Sequence, residues 1–277
     1  MTPISRAPLV SDLAIANAPS GEGTEARDLG PVPEWDLSDL YQGIDDPAGA
    51  KDLDLAASEA KRIKEAYQGK LGGLTKDGAA LAAAIAAYEQ LSDLMGKLGS
   101  FAGLLYAANQ ADPTRAKFYG DISEKLTAIS TDLIFFELEL NQIDEAALEA
   151  AMSVPELARY KPWLEDLRKE KPYQLDEKIE QLFTEKGQTG RGAFNRLFSE
   201  TMTGLRFDVE GEPTPLALEA TLNLLSDPAE PRRHAAADAL AKVFKDNIRL
   251  FTLITNTLAK DKEISDRWRG FKDVADS

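Results

Sequence analysis

Apolar positions along the chain recur mainly at the three- and four-residue spacing of an amphipathic helix. The clearest case runs from Pro113 to Leu140, with Asp112 as the N-cap and Pro113 at the first helical position, where its missing N–H costs no hydrogen bond. The apolar positions are Phe118, Ile122, Leu126, Ile129, Leu133, Phe136 and Leu140. This stripe predicts one helix of about seven turns, the spine of the domain.

Other segments show the same periodicity. It predicts further helices over 52–67, 77–98, 100–109, 176–186 and 192–203. Gly99 is interpreted as a break, because glycine weakens a helix interior. Capping-box spacing occurs at Ser153/Glu156 and again at Asp227/Glu230, and the second pair predicts the start of a long helix carrying Leu240, Phe244, Ile248, Phe251 and Leu258.

One segment changes to the two-residue period of a strand. Leu205 to Val209 alternates apolar and polar residues, and 210–213 supplies a turn. We therefore predict one small β-hairpin near 205–215, supported by neighbouring helices because a lone hairpin is marginal in water. The predicted fold class is mainly α, a multi-helix and elongated helical array with this one hairpin.

The predicted organisation has three parts. Residues 1–31 mix Pro, Ser, Gly, Ala and scattered acids without a period, which predicts a flexible N-terminal tail. Residues 32–200 form a helical N-terminal domain, and residues 201–277 carry the hairpin and the long helices. Trp268 and Phe271 lie within the last ten residues, which favours a chain cut in mid-architecture over an ordinary helical terminus.

Charge and composition exclude several classes of partner. The 47 acidic and 32 basic residues give a net charge of −15, which argues against a nucleic-acid partner because phosphates need a basic face. The acidic excess is interpreted as a solvated surface, or alternatively as a channel that attracts cationic peptides. No apolar run reaches the ~20 residues of a membrane span, so no membrane partner is expected. The absence of cysteine fits a cytoplasmic location and excludes thiolate chemistry.

Candidate chemistry is sparse. The single histidine, His234, has Glu230 and Asp238 four residues before and after it, a spacing that suits a weak metal site but fits a solvent-facing stripe better. Residues 187–192 match the start of a phosphate-binding loop but lack its Lys and Ser/Thr. We interpret them as a helix-to-helix turn in which glycine supplies left-handed backbone.

Carboxylates and aromatic residues likewise point to structure. Glu137/Glu139 diverge on a helix and Glu165/Asp166 are adjacent, so neither pair indicates general acid–base chemistry. The prominent aromatic residues are predicted to be core or interface residues: Trp35, Tyr41, Trp163 and Tyr173.

Five short motifs occur in order along the chain. They are Glu34–Tyr41, Tyr106–Pro113, Tyr160–Arg168, Lys171–Leu175, and Leu224–Pro228 with Arg232, Arg233 and Ala236. In this order the chain from Glu34 onward resembles the N-terminal region of oligoendopeptidase F, a family of thimet-oligopeptidase-like zinc metallopeptidases. Trp163 and Tyr173 depart from the pattern, since relatives often have histidine there, and this puts a peptide-binding role for those positions in doubt.

The resemblance implies a division of labour. In the family a His-Glu-x-x-His helix and a later Glu bind zinc, and the first Glu activates water. That motif is absent from residues 1–277, so no catalytic or metal-binding residue is assigned, and substrate-binding residues stay unknown. The resemblance implies that 32–200 form a lid or wall of a deep channel and that 201–277 lead into a missing C-terminal catalytic domain, where zinc is expected.

The leading prediction is therefore the substrate-gating N-terminal portion of a zinc-dependent oligoendopeptidase that hydrolyses peptide bonds in oligopeptides. The expected partners are its own catalytic domain and oligopeptide substrates, and the chain alone is expected to be inactive and to hold no cofactor. The alternative is a free-standing helical binding or scaffold protein without catalysis. A third possibility is a different enzyme with an unrecognised carboxylate site.

Overall fold

The computed structural model describes residues 35–277, so the predicted tail at 1–31 and the first residue of the Glu34–Tyr41 motif lie outside the described residues. Over 35–277 the fold is mainly helical, as predicted. Two 3-10 turns cover Leu71–Lys76 and Lys171–Tyr173. The helices are α1 Pro47–Tyr67, α2 Gly78–Ala108, α3 Pro113–Gln142, α4 Glu145–Ala151, α5 Pro155–Ala158, α6 Lys161–Lys169, α7 Glu177–Thr189, α8 Arg191–Gly204, α9 Leu218–Leu224, α10 Glu230–Asp246 and α11 Ile248–Arg269.

Aspartate begins most of the longer helices. Asp112 accepts hydrogen bonds from the N–H groups of Thr114 and Arg115, which have no partner within the helix, and so fixes the start of α3 where the sequence predicts it. Asp46 does the same for α1, followed by Pro47. Because of this cap, α1 begins five residues earlier than its apolar stripe indicates.

Two predicted helix boundaries are wrong. Gly99 does not end a helix, because α2 runs unbroken from Gly78 to Ala108. A Cβ at Gly99 would lie 3.4 Å from Leu126 Cδ1, so this glycine lets α3 approach closely instead. The long helix predicted after Asp227 is divided between α10 and α11 at Asn247, whose side chain donates to the carbonyl of Val243 at 2.9 Å.

The predicted capping boxes do not form. The N-cap of the four-residue α5 is Val154, with no side-chain cap bond. Asp227 accepts from the N–H of Ala229, the residue before α10, and therefore caps the preceding turn rather than the helix.

The predicted hairpin is reduced to a single antiparallel bridge within the described residues. Phe207 and Leu216 exchange two backbone hydrogen bonds of 2.8 Å, and Gly211 turns the chain with φ of +93°. Pro213 and Pro215 restrict φ and donate no ladder hydrogen bond, so pairing does not extend. Phe207 and Val209 still face inward, as the alternation predicts.

The main core lies between α1, α2 and α3 and is closed by the 3-10 turn at 71–76 and by α4 to α6. Phe135 and Phe136 of α3 are fully buried in it, and the ring of Tyr88 stacks on Phe136 with centroids 4.5 Å apart. A second, small core surrounds Phe207 and is built from the bridge segment, α9 and α10. Whether a domain boundary falls near residue 200 stays a prediction.

Three helices form what we call the outer layer: α7, α8 and α11. α7 packs against α3, and α8 contacts both α7 and α11. This layer is thinly buried, since α8 has no buried residue, α7 buries only Glu180, and α11 buries only Ile254 and Arg269. No helix between residues 35 and 277 is long and apolar enough to cross a membrane.

Candidate functional site

His234 lies on the solvent side of α10. Its Nδ1 is 3.3 Å from Asp238 Oδ2, and both side chains are 76% exposed. Over residues 35–277, no three His, Asp or Glu side chains come close enough to share a metal ion. An exposed histidine with one carboxylate neighbour does not make a zinc site by itself, because a structural or catalytic zinc needs three or four protein ligands.

The glycine-rich segment 187–192 contains the predicted helix-to-helix turn, which is confined to Gly190 between the end of α7 and the start of α8. The predicted left-handed glycine is wrong, because Gly190 at the turn has φ of −97°. Glycine instead avoids crowding against nearby backbone. A Cβ at Gly190 would lie 3.1 Å from the carbonyl oxygen of Lys186, and one at Gly192 would lie 3.0 Å from that of Gly187.

Glu137 and Glu139 diverge, as expected for neighbours two apart on a helix. Glu137 points into the core, where it accepts a hydrogen bond of 2.9 Å from the hydroxyl of Tyr88. Burial raises the pKa of Glu137 above its ordinary value, against the opposing effect of this hydrogen bond. Glu139 instead accepts from the backbone N–H groups of Gly69 and Leu71 and ties α3 to the segment after α1.

The aromatic residues singled out from the sequence have separate positions. Tyr41 is buried and donates to Asp52 at 2.8 Å, and Trp163 packs against Tyr88 with ring centroids 6.2 Å apart. Tyr173 stacks on Phe271 at 4.0 Å. Trp35 is exposed. Three of these four residues therefore pack against other parts of the protein, and the four do not converge on one site.

A buried ion pair, which the sequence reasoning missed, joins α7 to the end of α11. Arg269 Nη1 and Nη2 each donate to one carboxylate oxygen of Glu180 at 2.7 Å, and the two residues are only 8% and 4% exposed. Burial opposes ionisation of Glu180, but the hydrogen bonds from Arg269 and from the Leu175 N–H outweigh it, so the pKa of Glu180 lies below its ordinary value.

Exposed apolar side chains concentrate in the C-terminal part of the described chain. Of eleven large exposed apolar residues among the described ones, only Trp35 and Leu55 precede α7. The others, on α7, α8, α9 and its C-cap, α11 and the segment after α11, are Leu182, Leu197, Phe198, Leu222, Leu225, Ile248, Leu253, Trp268 and Val274. Where such side chains lie side by side, they mark a surface that contacts another polypeptide or a ligand.

The outer layer also differs in charge from the rest of the chain. Its three helices contain seven acidic and nine basic residues, whereas the remaining chain contains 40 acidic and 23 basic residues. The strongly negative field of the protein therefore comes from elsewhere. A large partner approaching the outer layer meets apolar and nearly neutral surface.

Comparison with known proteins shows what part of the chain is similar to. Residues 139–207 match the model of a protein family described as Oligopeptidase F. The crystal structure of oligoendopeptidase-F from Enterococcus faecium matches with a TM-score of 0.73 at 17% identity, over 83% of this chain and 46% of that chain. A putative peptidase from Chlamydophila abortus matches at 16% identity with a TM-score of 0.49, over 87% and 40% of the two chains.

No curated protein matched the chain. The chain spans less than half of the length of either solved structure. The family match and the fold together confirm the resemblance to the N-terminal region of oligoendopeptidase F. The matched segment runs from the end of α3 through α7 and α8 to Phe207, and so includes much of the outer layer.

Proposed function

We propose that this chain is the substrate-gating N-terminal portion of a cytoplasmic, zinc-dependent oligoendopeptidase that hydrolyses peptide bonds in oligopeptides. The zinc and the residue that activates water belong, in this proposal, to a catalytic part outside residues 1–277. The chain described here contributes a wall that restricts access, and it is inactive alone because it lacks the His-Glu-x-x-His segment.

The thinly buried outer layer is the observation that carries this proposal. Leu253 is 58% exposed and Phe198 is 44% exposed, although both lie in well-formed helices. Fully burying a side chain of this kind stabilises a protein by about 1.5–3 kcal/mol, so covering the layer is strongly favourable. The same helices carry almost no net charge, so they repel a negatively charged partner less than the rest of the chain does.

The family resemblance supplies a partner of suitable size. The match to the Enterococcus faecium structure leaves more than half of that chain unmatched, which is enough polypeptide to cover the layer. We therefore assign the outer layer to the contact with the catalytic part, and the channel to the space that the two parts enclose. Only peptides thin enough to enter such a channel would reach the zinc.

The first test uses the 277-residue chain alone. The purified chain is loaded with zinc, its metal content is measured after dialysis, and a fluorogenic peptide library is added. We expect no stoichiometric zinc and no cleavage. Stoichiometric zinc that disappears in His234→Ala, or turnover by the chain alone, would overturn the proposal.

The second test adds the catalytic polypeptide that carries His-Glu-x-x-His from the same genome. Co-expression is expected to give a stable complex that cleaves peptides but not folded proteins. Leu253→Asp and Leu182→Asp, both at leucines that are 58% exposed, are each expected to lower the recovered complex at least about tenfold. Leu55→Asp, which changes an exposed leucine on α1, is the matched control and is expected to leave the complex intact.

The main core favours a second candidate, a free-standing helical binding or scaffold protein. The core around α1 to α3 contains the fully buried Phe135 and Phe136, and none of the residues that form it belongs to the outer layer. On this alternative the isolated chain is monomeric and stable, and the catalytic polypeptide neither binds it nor responds to Leu253→Asp.

A further inference from the structure

The two halves of α11 are held in different ways. In the N-terminal half, Ile254 is buried, and the ring of Phe251 packs against Phe198 and Phe244 with centroids 6.0 and 6.1 Å apart. In the C-terminal half, the only buried residue is Arg269. Apolar packing therefore holds the first half, whereas a charged residue is the main anchor of the second.

The anchor is a compact set of hydrogen bonds that joins α11 to α7 and to the segment leading into α7. Arg269 is paired with Glu180 through two bonds of 2.7 Å, and its Nη1 also donates to the carbonyl oxygen of Tyr173 at 3.1 Å. Glu180 Oε1 in turn accepts from the Leu175 N–H at 3.0 Å. Both terminal nitrogens of Arg269 and both carboxylate oxygens of Glu180 are thus engaged, in a fork-to-fork geometry that lysine cannot reproduce, whereas the buried Nε of Arg269 has no partner among the described residues.

Two aromatic contacts border this ion pair. Phe271 stacks on Tyr173 at 4.0 Å, and Trp268 meets the edge of Phe183 at 6.2 Å. Trp268 nevertheless stays 51% exposed, so these rings cover the pair without forming a sealed core. Water can reach this end of the helix as soon as the ion pair separates.

We propose that the Arg269–Glu180 pair is a latch that holds the C-terminal half of α11 on α7. When the latch breaks, residues 258–269 open as a local unit while α1, α2 and α3 remain folded. A buried ion pair suits this role, because losing one partner leaves an uncompensated buried charge and so favours opening strongly. This conformational device rests on the contacts alone and does not depend on the proposed peptidase function.

Native-state hydrogen exchange on the full chain, resolved by peptide mass spectrometry, tests the proposal. Glu180→Gln is expected to raise the exchange rate of residues 258–269 by about 100-fold or more, with rates in α1 to α3 unchanged. Arg269→Lys keeps the charge but not the fork, and is expected to give a smaller increase. Asp166→Asn breaks an exposed pair with Lys169 and serves as the control.

A double variant separates a latch from general damage to the fold. Glu180→Leu with Arg269→Met replaces the pair by apolar side chains, and such replacements of buried pairs are often neutral or stabilising. The double variant is expected to restore protection over 258–269. The proposal is overturned if Glu180→Gln changes exchange there less than about threefold, or if it raises exchange equally in α1 to α3.

Discussion

Raising the pH is expected to destabilise the fold through the carboxyl group of Glu137. This residue is only 6% exposed at the contact between α2 and α3, and the hydroxyl of Tyr88 donates to it at 2.9 Å. Burial raises the pKa of Glu137 in the folded state, because a carboxylate loses its hydration there without gaining a cation.

The sign of the effect follows from linkage. A carboxyl group whose folded-state pKa is raised contributes stability that is fully present below its unfolded value, near 4.5. That stability is lost as the pH rises through the folded pKa. Each unit of upward shift corresponds to about 1.4 kcal/mol, a sizeable part of the roughly 5–15 kcal/mol that stabilises a domain. Burial raises the pKa of Tyr88 well above its ordinary value, so its hydroxyl remains a donor throughout.

The assay is urea unfolding followed by circular dichroism between about pH 5 and pH 8.5, with the wild-type chain compared with Glu137→Gln. Glutamine keeps the shape and the acceptor for Tyr88 but cannot ionise. The wild-type free energy of unfolding is therefore expected to fall relative to the variant as the pH rises. Glu124→Gln, which removes an exposed carboxyl group from the same helix, provides the control.

Parallel curves would refute this reasoning. If the difference between the wild-type chain and Glu137→Gln were the same at both ends of the pH range, Glu137 would titrate alike in the folded and unfolded states. Burial beside Tyr88 would then have no bearing on its ionisation. A pH-dependent difference of the same size for Glu124→Gln would also refute it, since the effect would then be due to general charge.

Three substitutions test other contacts. Gly78→Ala would place a Cβ 2.5 Å from the carbonyl oxygen of Ala151. We expect the free energy of unfolding, measured in urea, to fall by about 1–3 kcal/mol. The control Gly73→Ala, whose Cβ enters open space, should cost far less. Asp112→Ala removes the acceptor for two N–H groups of α3 and should cost about 0.5–2 kcal/mol in thermal unfolding, with Asp112→Asn close to wild type. Phe207→Ala empties the small core and should cost about 3–5 kcal/mol. Hydrogen exchange should rise over 205–244 and not in α1 to α3.

Local signals in the sequence were sufficient to predict the helices of the main core. The start of α3 follows from Asp112 and Pro113, and its buried face follows from a stripe that includes Ile129, Leu133 and Phe136. These signals act over one or two helical turns, so no tertiary information is needed to interpret them. The fold class was accessible for the same reason.

The errors arise where distant residues decide the structure. Gly99 has the local appearance of a break, yet its role is set by Leu126 on a neighbouring helix. Glu180 and Arg269 are 89 positions apart, and nothing in either local pattern indicates that they meet. This limit affected the prediction of functional features most, because neither the latch nor the exposed outer layer has a sequence motif. The one signal in the sequence that could have indicated the outer layer is a helix with too few inward-facing apolar residues, as in α7.

The latch and the outer layer are coupled if the catalytic part covers that layer. A partner that binds only the closed form of α11 stabilises that form by RT ln(1 + [L]/Kd), which is about 2.7 kcal/mol at a hundredfold excess over Kd. Exchange over 258–269 should then slow about 100-fold in the complex, with the wild-type latch intact. Glu180→Gln should weaken the complex appreciably only if it makes the open form the majority species, because the apparent Kd rises as the closed fraction falls. Measuring both quantities separates loss of the latch from loss of the interface, because Leu253→Asp should weaken the complex while leaving exchange in the free chain unchanged.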